Sequence, residues 1–482
     1  MIKTLVLTSS KNYRWMSMQE IIPFITESWL RLNSDEHIVE VVDVDKDNIF
    51  KRMKEIISFD NIVCTCFTVE ISRTIATFRK VLGMEFKTFF YVHGQATIGL
   101  WPLLKWAGDD YLTSNDYLVV SCERDIDCLN LAFKGAKVML HPFLLGPQYK
   151  IDKSQKNSNF IYIGRVSEQK NLHSIILAIK LIEKQMREHH SKFTIIGGTD
   201  DLGTPVTGTL PIKYLEYLKN LVSDLSLNDL IEFRGHIDRE QFNTILSDQN
   251  AIFISSSLHS DENFGVAPYQ YLKAGGRGIL SDWGGYAQFK DFFEGIDYLD
   301  VYQSSHGHFS DISQIARVME KRLSNTSTIK ELDHSLNSYL ATISDAANKE
   351  YQKDFDIVCA TDFAKKILRD REDFYKNTKS DDRNHGAQIF TCFKDQGLHQ
   401  LTKAYGAKYF KKNNSSSDLI VLPMVELKDH HILITDPHRG SFEISRMAGV
   451  EKAYRTFREE AIILTDKEVE YLFGLGYVIS FS

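Results

Sequence analysis

Two basic side chains, Arg165 and Lys170, stand in the short loop that follows the apolar run Phe160–Ile163 and Gly164. A buried strand ending at Gly164 and a helix opening near Asn171 put both cations at the carboxyl end of a strand, beside a helix N-terminus. That arrangement suits a diphosphate, since Arg supplies a planar fork of donors and Lys a point charge. Further along, Ile254–Ser257 leads into a polar loop carrying Glu262, and Asn263, Phe264 and Gly265 open a helix with Pro268 in its first turn. The backbone N–H groups of Phe264, Gly265 and Val266 point at an anion in such a turn. Glu262, just before them, can accept hydrogen bonds from hydroxyl groups. Taken singly, each fragment has a plainer reading: solvated cations on a surface loop, and a helix-capping acid.

The elements that must position these residues are strands alternating with helices. In the first half the expected strands are Thr4–Thr8, Ile38–Val42, Ile62–Cys66, Thr88–Val92, Tyr117–Ser121 and Lys137–Leu140, with helices such as Met18–Leu32 and Glu70–Leu82 between them. Residues 147–158 are polar and aperiodic, and read as a linker. The pattern then restarts with Phe160–Ile163, Lys192–Ile196, Ile231–Phe233, Ala251–Ser255 and Gly278–Leu280, with helices over Leu172–Met186 and Tyr214–Leu225. Alternation of this kind predicts two α/β units, each a mostly parallel sheet covered by helices on both faces. Ligands of open parallel sheets bind beyond the carboxyl ends of the strands, so the expected site is a cleft between the two units. Beyond the charged break at 377–386, Ser417–Leu427 and His431–Thr435 read as an antiparallel pair, and Ala453–Ala461 and Lys467–Leu475 as helices. The expected domains are 1–146, 159–372 and a small α+β domain at 380–482.

The 482 residues exceed what one hydrophobic core supports. Net charge is −7, so the chain has no global attraction for nucleic acid, and an anionic ligand must be held by a local cluster. Six cysteines without paired CxxC spacings read as buried thiols, not zinc ligands. The N-terminus reads as a first strand, not a signal peptide, and no apolar run is long enough to span a bilayer. The expectation is a cytoplasmic protein.

Together the motifs resemble glycosyltransferase family 4. Gly164-Arg165 followed by Lys170-Asn171 matches that family's Gly-Arg-x-x-x-x-Lys-Gly/Asn segment. Gly197-Gly198 after a strand and Phe233-Arg234-Gly235 follow in order. Glu262, followed by x-Phe-Gly, is the first of the two signature glutamates that are spaced by seven residues. In the first half, Val92-His93-Gly94, Val119-Val120-Ser121 and His141-Pro142-Phe143 match more loosely.

The resemblance implies retaining transfer of a sugar from a nucleotide diphosphate-sugar to an acceptor hydroxyl. It also implies the GT-B architecture: two Rossmann-like domains facing each other across a cleft. Carried over by position, Gly164, Arg165 and Lys170 hold the donor phosphates, and the Phe264, Gly265 and Val266 amides hold the diphosphate or the sugar. Glu262 binds sugar hydroxyls, and His93 lies near the anomeric carbon and the acceptor. The nucleotide-sugar is a co-substrate, and the arrangement requires no metal or other cofactor. The acceptor is left open among glycan, lipid-linked glycan and protein or peptide, as is the oligomeric state.

Two departures stand out. The second signature glutamate is Gln270, whose amide can still bond a ribose hydroxyl without the strength of a charge. The family's glycine-rich loop after the first strand is replaced by Thr8-Ser9-Ser10-Lys11-Asn12. Both favour the alternative of a catalytically weakened, transferase-like partner of an active enzyme. A nucleotide-sugar epimerase, which shares the architecture, is a second rival. Asp43-Val44-Asp45 resembles a metal-binding DxD motif but follows a strand of the first unit, and reads as loop acids. Trp101 and Trp106 read as core aromatics, the alternatives being an acceptor groove or a peripheral membrane contact.

Overall fold

The computed structural model describes residues 1–11, 16–47, 58–66, 68–93, 111–146, 151, 158–167, 170–199, 214–237, 251–258, 262–304, 307–324, 329–333, 335–366, 369, 396–409, 424–428, 431–436 and 440–445. The chain divides into two compact units. One comprises Met1–Leu145, Asn263–Val266 and Asp333–Lys376; the other comprises Gly146–Glu262, Ala267–Leu332 and Asn377–Ser482.

The first unit is built on six strands: β1 (Ile2–Thr8), β2 (His37–Asp43), β3 (Asn61–Cys64), β4 (Lys87–Tyr91), β5 (Tyr117–Val120) and β6 (Lys137–Leu140). All pairings are parallel, in the order β2-β1-β3-β4-β5-β6. Leu5, Val6, Leu7, Ile62, Val63, Phe89 and Phe90 are fully buried. Consecutive residues of one strand are therefore covered on both faces, as a parallel sheet with helices on each side requires. Helices Met16–Leu30, Val69–Lys80 and Glu123–Ala132 lie between the strands in sequence. Thr68 caps the second of them, its side chain accepting from the Ile71 N–H.

Residues 333–376 belong with this sheet for a specific reason. The Lys87 ammonium, on β4, donates to the carbonyls of Ala346, Ala347 and Lys349 at the end of helix Leu336–Asn348. A cation there satisfies orphan carbonyls and complements the helix dipole. Cys359–Ala360 also pairs antiparallel with Phe133–Lys134.

The second unit holds β7 (Phe160–Ile163), β8 (Phe193–Ile196), β9 (Ile231–Gly235), β10 (Ile252–Ser255), β11 (Arg277–Ser281) and β12 (Asp297–Leu299). These too are all parallel, in the order β9-β8-β7-β10-β11-β12. That is the doubly wound order, and its direction reverses between β7 and β10. The core is formed by helix Leu172–Leu181, buried almost all round, with Ile312, Ile315, Met319 and Leu323 of helix Ile312–Ser324.

The expected helix Leu172–Met186 is two: it breaks at Ile182 (φ −112°, ψ 23°), and Glu183–Glu188 continues as a short helix. Strand β12, helices Ile312–Ser324 and Leu336–Asn348, and the antiparallel strands Val301–Ser304 and Gly307–Ser310 were not among the expected elements.

In the C-terminal part, Met424–Lys428 and His431–Asp436 pair antiparallel as expected, and Gly440–Ser445 adds a third strand. Residues 417–423 and the expected helices 453–461 and 467–475 lie outside the described residues, as do Gly94, Trp101 and Trp106. Among the described residues no helix is long and apolar enough to cross a membrane.

Candidate functional site

In the second unit, the loops after β7 and β10 leave the sheet at its point of reversal, the place where open parallel sheets generally bind their ligands. Gly164 ends β7. A Cβ on Gly197, the corresponding residue after β8, would lie 1.7 Å from the Gly164 carbonyl oxygen, and Gly197 has φ +145°. The two strand ends approach so closely that only glycine fits. Arg165 follows, half-buried, and its carbonyl accepts from the Tyr162 hydroxyl at 2.8 Å.

Asn171 stands in the left-handed region (φ 52°, ψ 37°) at the start of helix Leu172–Leu181. Its side chain accepts from Ser174 Oγ at 2.6 Å, and its carbonyl accepts from Ser256 Oγ, beyond β10, at 3.0 Å. That second bond ties the two loops together. Lys170, one residue earlier, places its Nζ 2.5 Å from Glu262 Oε2, with the side chains 12% and 10% exposed. Glu262 is held from behind: its carbonyl accepts from the Gly285 N–H at 2.6 Å. A Cβ on Gly284 (φ +51°) would lie 2.6 Å from that same carbonyl and 2.5 Å from the Tyr405 ring. Trp283 packs edge-on against Tyr405 at 4.8 Å. Residues 396–409 thus buttress the turn that carries Glu262. The Tyr286 hydroxyl, 3.0 Å from Ser255 Oγ, is pushed well up by burial and by the neighbouring Glu262 charge. Gln270 is buried on helix Val266–Lys273, and its Nε2 finds no hydrogen-bond partner.

In the first unit, His93 follows β4. Its Nε2 lies 2.7 Å from the Thr65 carbonyl, which can only accept, so Nε2 carries the hydrogen and Nδ1 a lone pair. Burial pushes His93 down to about 4, although the Thr65 carbonyl and the Asn263 side chain both favour its charged form. At neutral pH it is an uncharged imidazole.

Asn263 is gripped from three elements. Its carbonyl accepts from Ser121 Oγ at 2.9 Å, and its Nδ2 donates to Asp125 Oδ2 at 2.8 Å and to the Val92 carbonyl at 3.3 Å. Phe264 packs edge-on against Phe143 at 5.5 Å. Behind His93, Trp29 Nε1 donates to the Tyr91 hydroxyl, which lies 2.8 Å from His141 Nδ1.

The loop after β1 differs from a phosphate cradle. The Ser10 N–H donates to Asp43 Oδ1, while the Lys11 N–H and the Ser9 hydroxyl both donate to Asp45 Oδ2. Burial opposes ionisation of both acids, but these bonds hold each below the usual carboxylate range. Amides that a glycine-rich loop would offer to an anion are already taken by side-chain carboxylates.

Residues 148–300 match the family model for glycosyl transferases group 1. This stretch is a group 1 glycosyl transferase domain. The transferase domain takes in all six strands of the second sheet and every donor-side residue expected from the sequence. No curated protein matches the chain.

Among solved structures, the chain is similar to AviGT4, a glycosyltransferase involved in avilamycin A biosynthesis (11% identity, 73% of this chain and 100% of that one, TM-score 0.44). It is similar also to TarM of S. aureus, solved in complex with fondaparinux, α-GlcNAc-glycerol and UDP (14%, 60% and 55%, 0.38). A third is the trehalose-6-phosphate synthase OtsA (17%, 69% and 73%, 0.37). At these identities and scores the three resemblances carry no weight for the chemistry.

Within the transferase domain, Gly164, Arg165, Lys170, Glu262 and Gln270 are carried by the second unit, and Lys170 and Glu262 are in contact. Phe264, Gly265 and Val266 group with the first unit, as His93 does. Sequence reasoning missed Asp125, Gly284, Tyr286 and the role of Asn263. Asn263 sits inside the recognised Glu-Asn-Phe-Gly segment, and its carboxamide was the available signal. Asp125 gave none, because an acid in the first turn of a helix is the ordinary partner of the helix dipole.

Proposed function

We propose that the chain is a retaining glycosyltransferase, moving a sugar from a nucleotide diphosphate-sugar to an acceptor hydroxyl. The observation that carries this reading is the Lys170–Glu262 pair at the strand reversal of the matched domain. A cation and a hydroxyl-binding carboxylate are what a sugar diphosphate needs side by side. On donor binding Lys170 exchanges a carboxylate for phosphate oxygens, with Arg165 as the second cation. That frees Glu262 to accept from sugar hydroxyls. The Phe264, Gly265 and Val266 amides meet the diphosphate or the sugar, and Gln270 meets the ribose with its unpartnered Nε2.

His93 is assigned to the acceptor side as a neutral hydrogen-bond partner, since burial keeps it uncharged. As the sugar–phosphate bond breaks, negative charge grows on the leaving diphosphate, and Arg165, Lys170 and the amides at a helix N-terminus stabilise it. The acceptor hydroxyl enters on the face the phosphate leaves and passes its proton to the departing phosphate oxygen, which retains configuration.

A thermal-shift screen against UDP-, GDP-, ADP- and dTDP-sugars identifies the donor, because a ligand at a hundred times its Kd stabilises by about 2.7 kcal/mol. Release of nucleotide diphosphate and the anomeric configuration of the product then test the reaction. No release with any of these donors would sink it.

The β1 loop, with its amides taken by Asp43 and Asp45, favours a second reading: a transferase-like partner that binds donor without turnover. Donor stabilisation without diphosphate release distinguishes that protein from an enzyme.

A further inference from the structure

We infer that Tyr405 is a positioning residue for Glu262, and that through it the segment 396–409 sets recognition of the sugar half of the donor separately from the diphosphate half. The inference rests on the glycosyl-transfer reading for what Glu262 binds, and on geometry for the rest.

Helix Gln396–Ala404 is closed by a left-handed glycine, Gly406, with φ +120°. The Gly406 N–H donates to the Lys403 carbonyl and the Ala407 N–H to the Thr402 carbonyl. These two bonds end the helix and leave the carbonyl of Tyr405, at its cap, outside the helical ladder. It accepts instead from the Gly284 N–H at 3.0 Å, and the next N–H, that of Gly285, donates to the Glu262 carbonyl at 2.6 Å. Consecutive amides of one turn thus hold Tyr405 on one side and Glu262 on the other.

The Tyr405 ring is fully buried, edge-on to Trp283 and against Gly284. With no Cβ on Gly284, the ring and the Glu262 carbonyl both close onto the turn. Ring, turn and Glu262 backbone are therefore in contact in series, and close packing transmits a shift of one to the next. Further along, Lys408–Tyr409 pairs in parallel with Val301–Ser304 and Lys408 forms an ion pair with Asp300, which fixes the far end of the segment.

The phosphate side is anchored by other contacts. The Gly164 N–H donates to the Ile196 carbonyl at 2.9 Å, the Lys170 N–H to the Ser167 carbonyl at 3.0 Å, and the Asn171 carbonyl is tied to Ser256. Loosening the turn at 283–286 therefore shifts Glu262 and leaves the loop of Arg165 and Lys170 in place. Lys170 then loses its carboxylate partner, which frees it for phosphate.

The test measures binding by calorimetry in the full chain, with UDP-, GDP-, ADP- and dTDP-glucose each set against its own nucleotide diphosphate. A displaced carboxylate forfeits hydrogen bonds to sugar hydroxyls, each worth on the order of tenfold in affinity. Tyr405→Ala should weaken the nucleotide-sugar by about tenfold or more and the matching nucleotide diphosphate by less than about threefold. Tyr405→Phe, which keeps the ring, should restore both ligands to within about threefold of wild type. Gly284→Ala, whose methyl is driven into the ring and the Glu262 carbonyl, should reproduce the alanine pattern from the other side. Equal losses for both ligands, no loss for either, a loss confined to the diphosphate, or failure of the phenylalanine to rescue would each overturn the proposal.

Hydrogen exchange of the Gly284 and Gly285 amides, followed by mass spectrometry, gives a readout independent of any ligand. Exchange should accelerate by about tenfold or more in Tyr405→Ala and return to the wild-type rate in Tyr405→Phe. Unchanged exchange overturns the positioning role whatever Glu262 binds. Accelerated exchange in a protein that binds none of the four nucleotide-sugars supports the positioning role and removes the donor reading alone. If Tyr405→Ala does not fold, Tyr405→Leu carries the same expectations.

Discussion

Lys170 and Glu262 lie 2.5 Å apart with little solvent around either side chain, so removing one partner leaves the other charge largely desolvated. Breaking such a pair typically costs about 3–5 kcal/mol, whereas replacing both partners with apolar groups of similar size is often close to neutral. Lys170→Ala should therefore lower the unfolding free energy by about 3 kcal/mol in urea denaturation, and Lys170→Met/Glu262→Leu by much less. Equal losses would mean that the pair is not coupled. The same lysine variant should weaken nucleotide diphosphate binding by about 2–4 kcal/mol, because a buried phosphate loses its partner. Unchanged affinity by calorimetry would take Lys170 out of the site. His93 predicts the opposite split. As a neutral imidazole with an open Nδ1, it should cost about 100-fold in kcat on replacement by Ala and leave donor affinity nearly unchanged. A loss confined to affinity would make His93 a structural residue.

At the scale of elements, legibility followed what is local. The strands of both sheets were readable because continuous apolar runs between turn signals suffice to mark a buried parallel strand. Lys137–Leu140 and Phe160–Ile163 matched to the residue. The placement of Gly164, Arg165 and Lys170 between a strand end and a helix start was readable for the same reason, since all three features lie within a dozen residues. The break at Ile182 was not readable, because Leu172–Met186 keeps a helical pattern throughout. Strand β12 is three residues long, too short for a period to show.

Asp125 and Asn263 lie 138 residues apart in sequence and meet only in the fold. Gly197 was legible as a motif but not as a necessity. The necessity is backbone against backbone, which cannot yield as a flexible side chain would. Gly197→Ala, with its Cβ driven into the Gly164 carbonyl at φ +145°, should destabilise by about 3 kcal/mol or more. Gly198→Ala is the matched control: its Cβ would meet His236 Cβ at 3.9 Å, an ordinary contact. Equal melting temperatures for the two variants would show that the strand ends are not pinned as described.

For the whole molecule, buried titratable groups set opposing slopes of stability against pH. Burial pushes His93 down to about 4 and His141 to about 3, against 6.5 for a free imidazole. Between those values the unfolded chain binds protons that the folded chain refuses. Their contribution is therefore complete above about 6.5 and is lost as pH falls through the folded values. Asp125 works the other way. Burial raises it from 3.8 to about 7, so from pH 4 to 7 the folded chain holds a proton that the unfolded chain has released. Its contribution is full below about 4 and lost as pH rises through 7. With two histidines against one aspartate, these groups together predict stability rising from pH 4 to 6.5. Asp125→Asn removes the opposing slope. Relative to wild type it should gain stability steadily from pH 4 to 8, by a total on the order of a few kcal/mol. Denaturant midpoints across that range for the two proteins measure the difference directly. A difference that stays constant with pH would mean that Asp125 ionises in the fold as readily as in the unfolded chain. The uncompensated burial of Asp125, whose Oδ1 has no hydrogen-bond partner, would then be wrong.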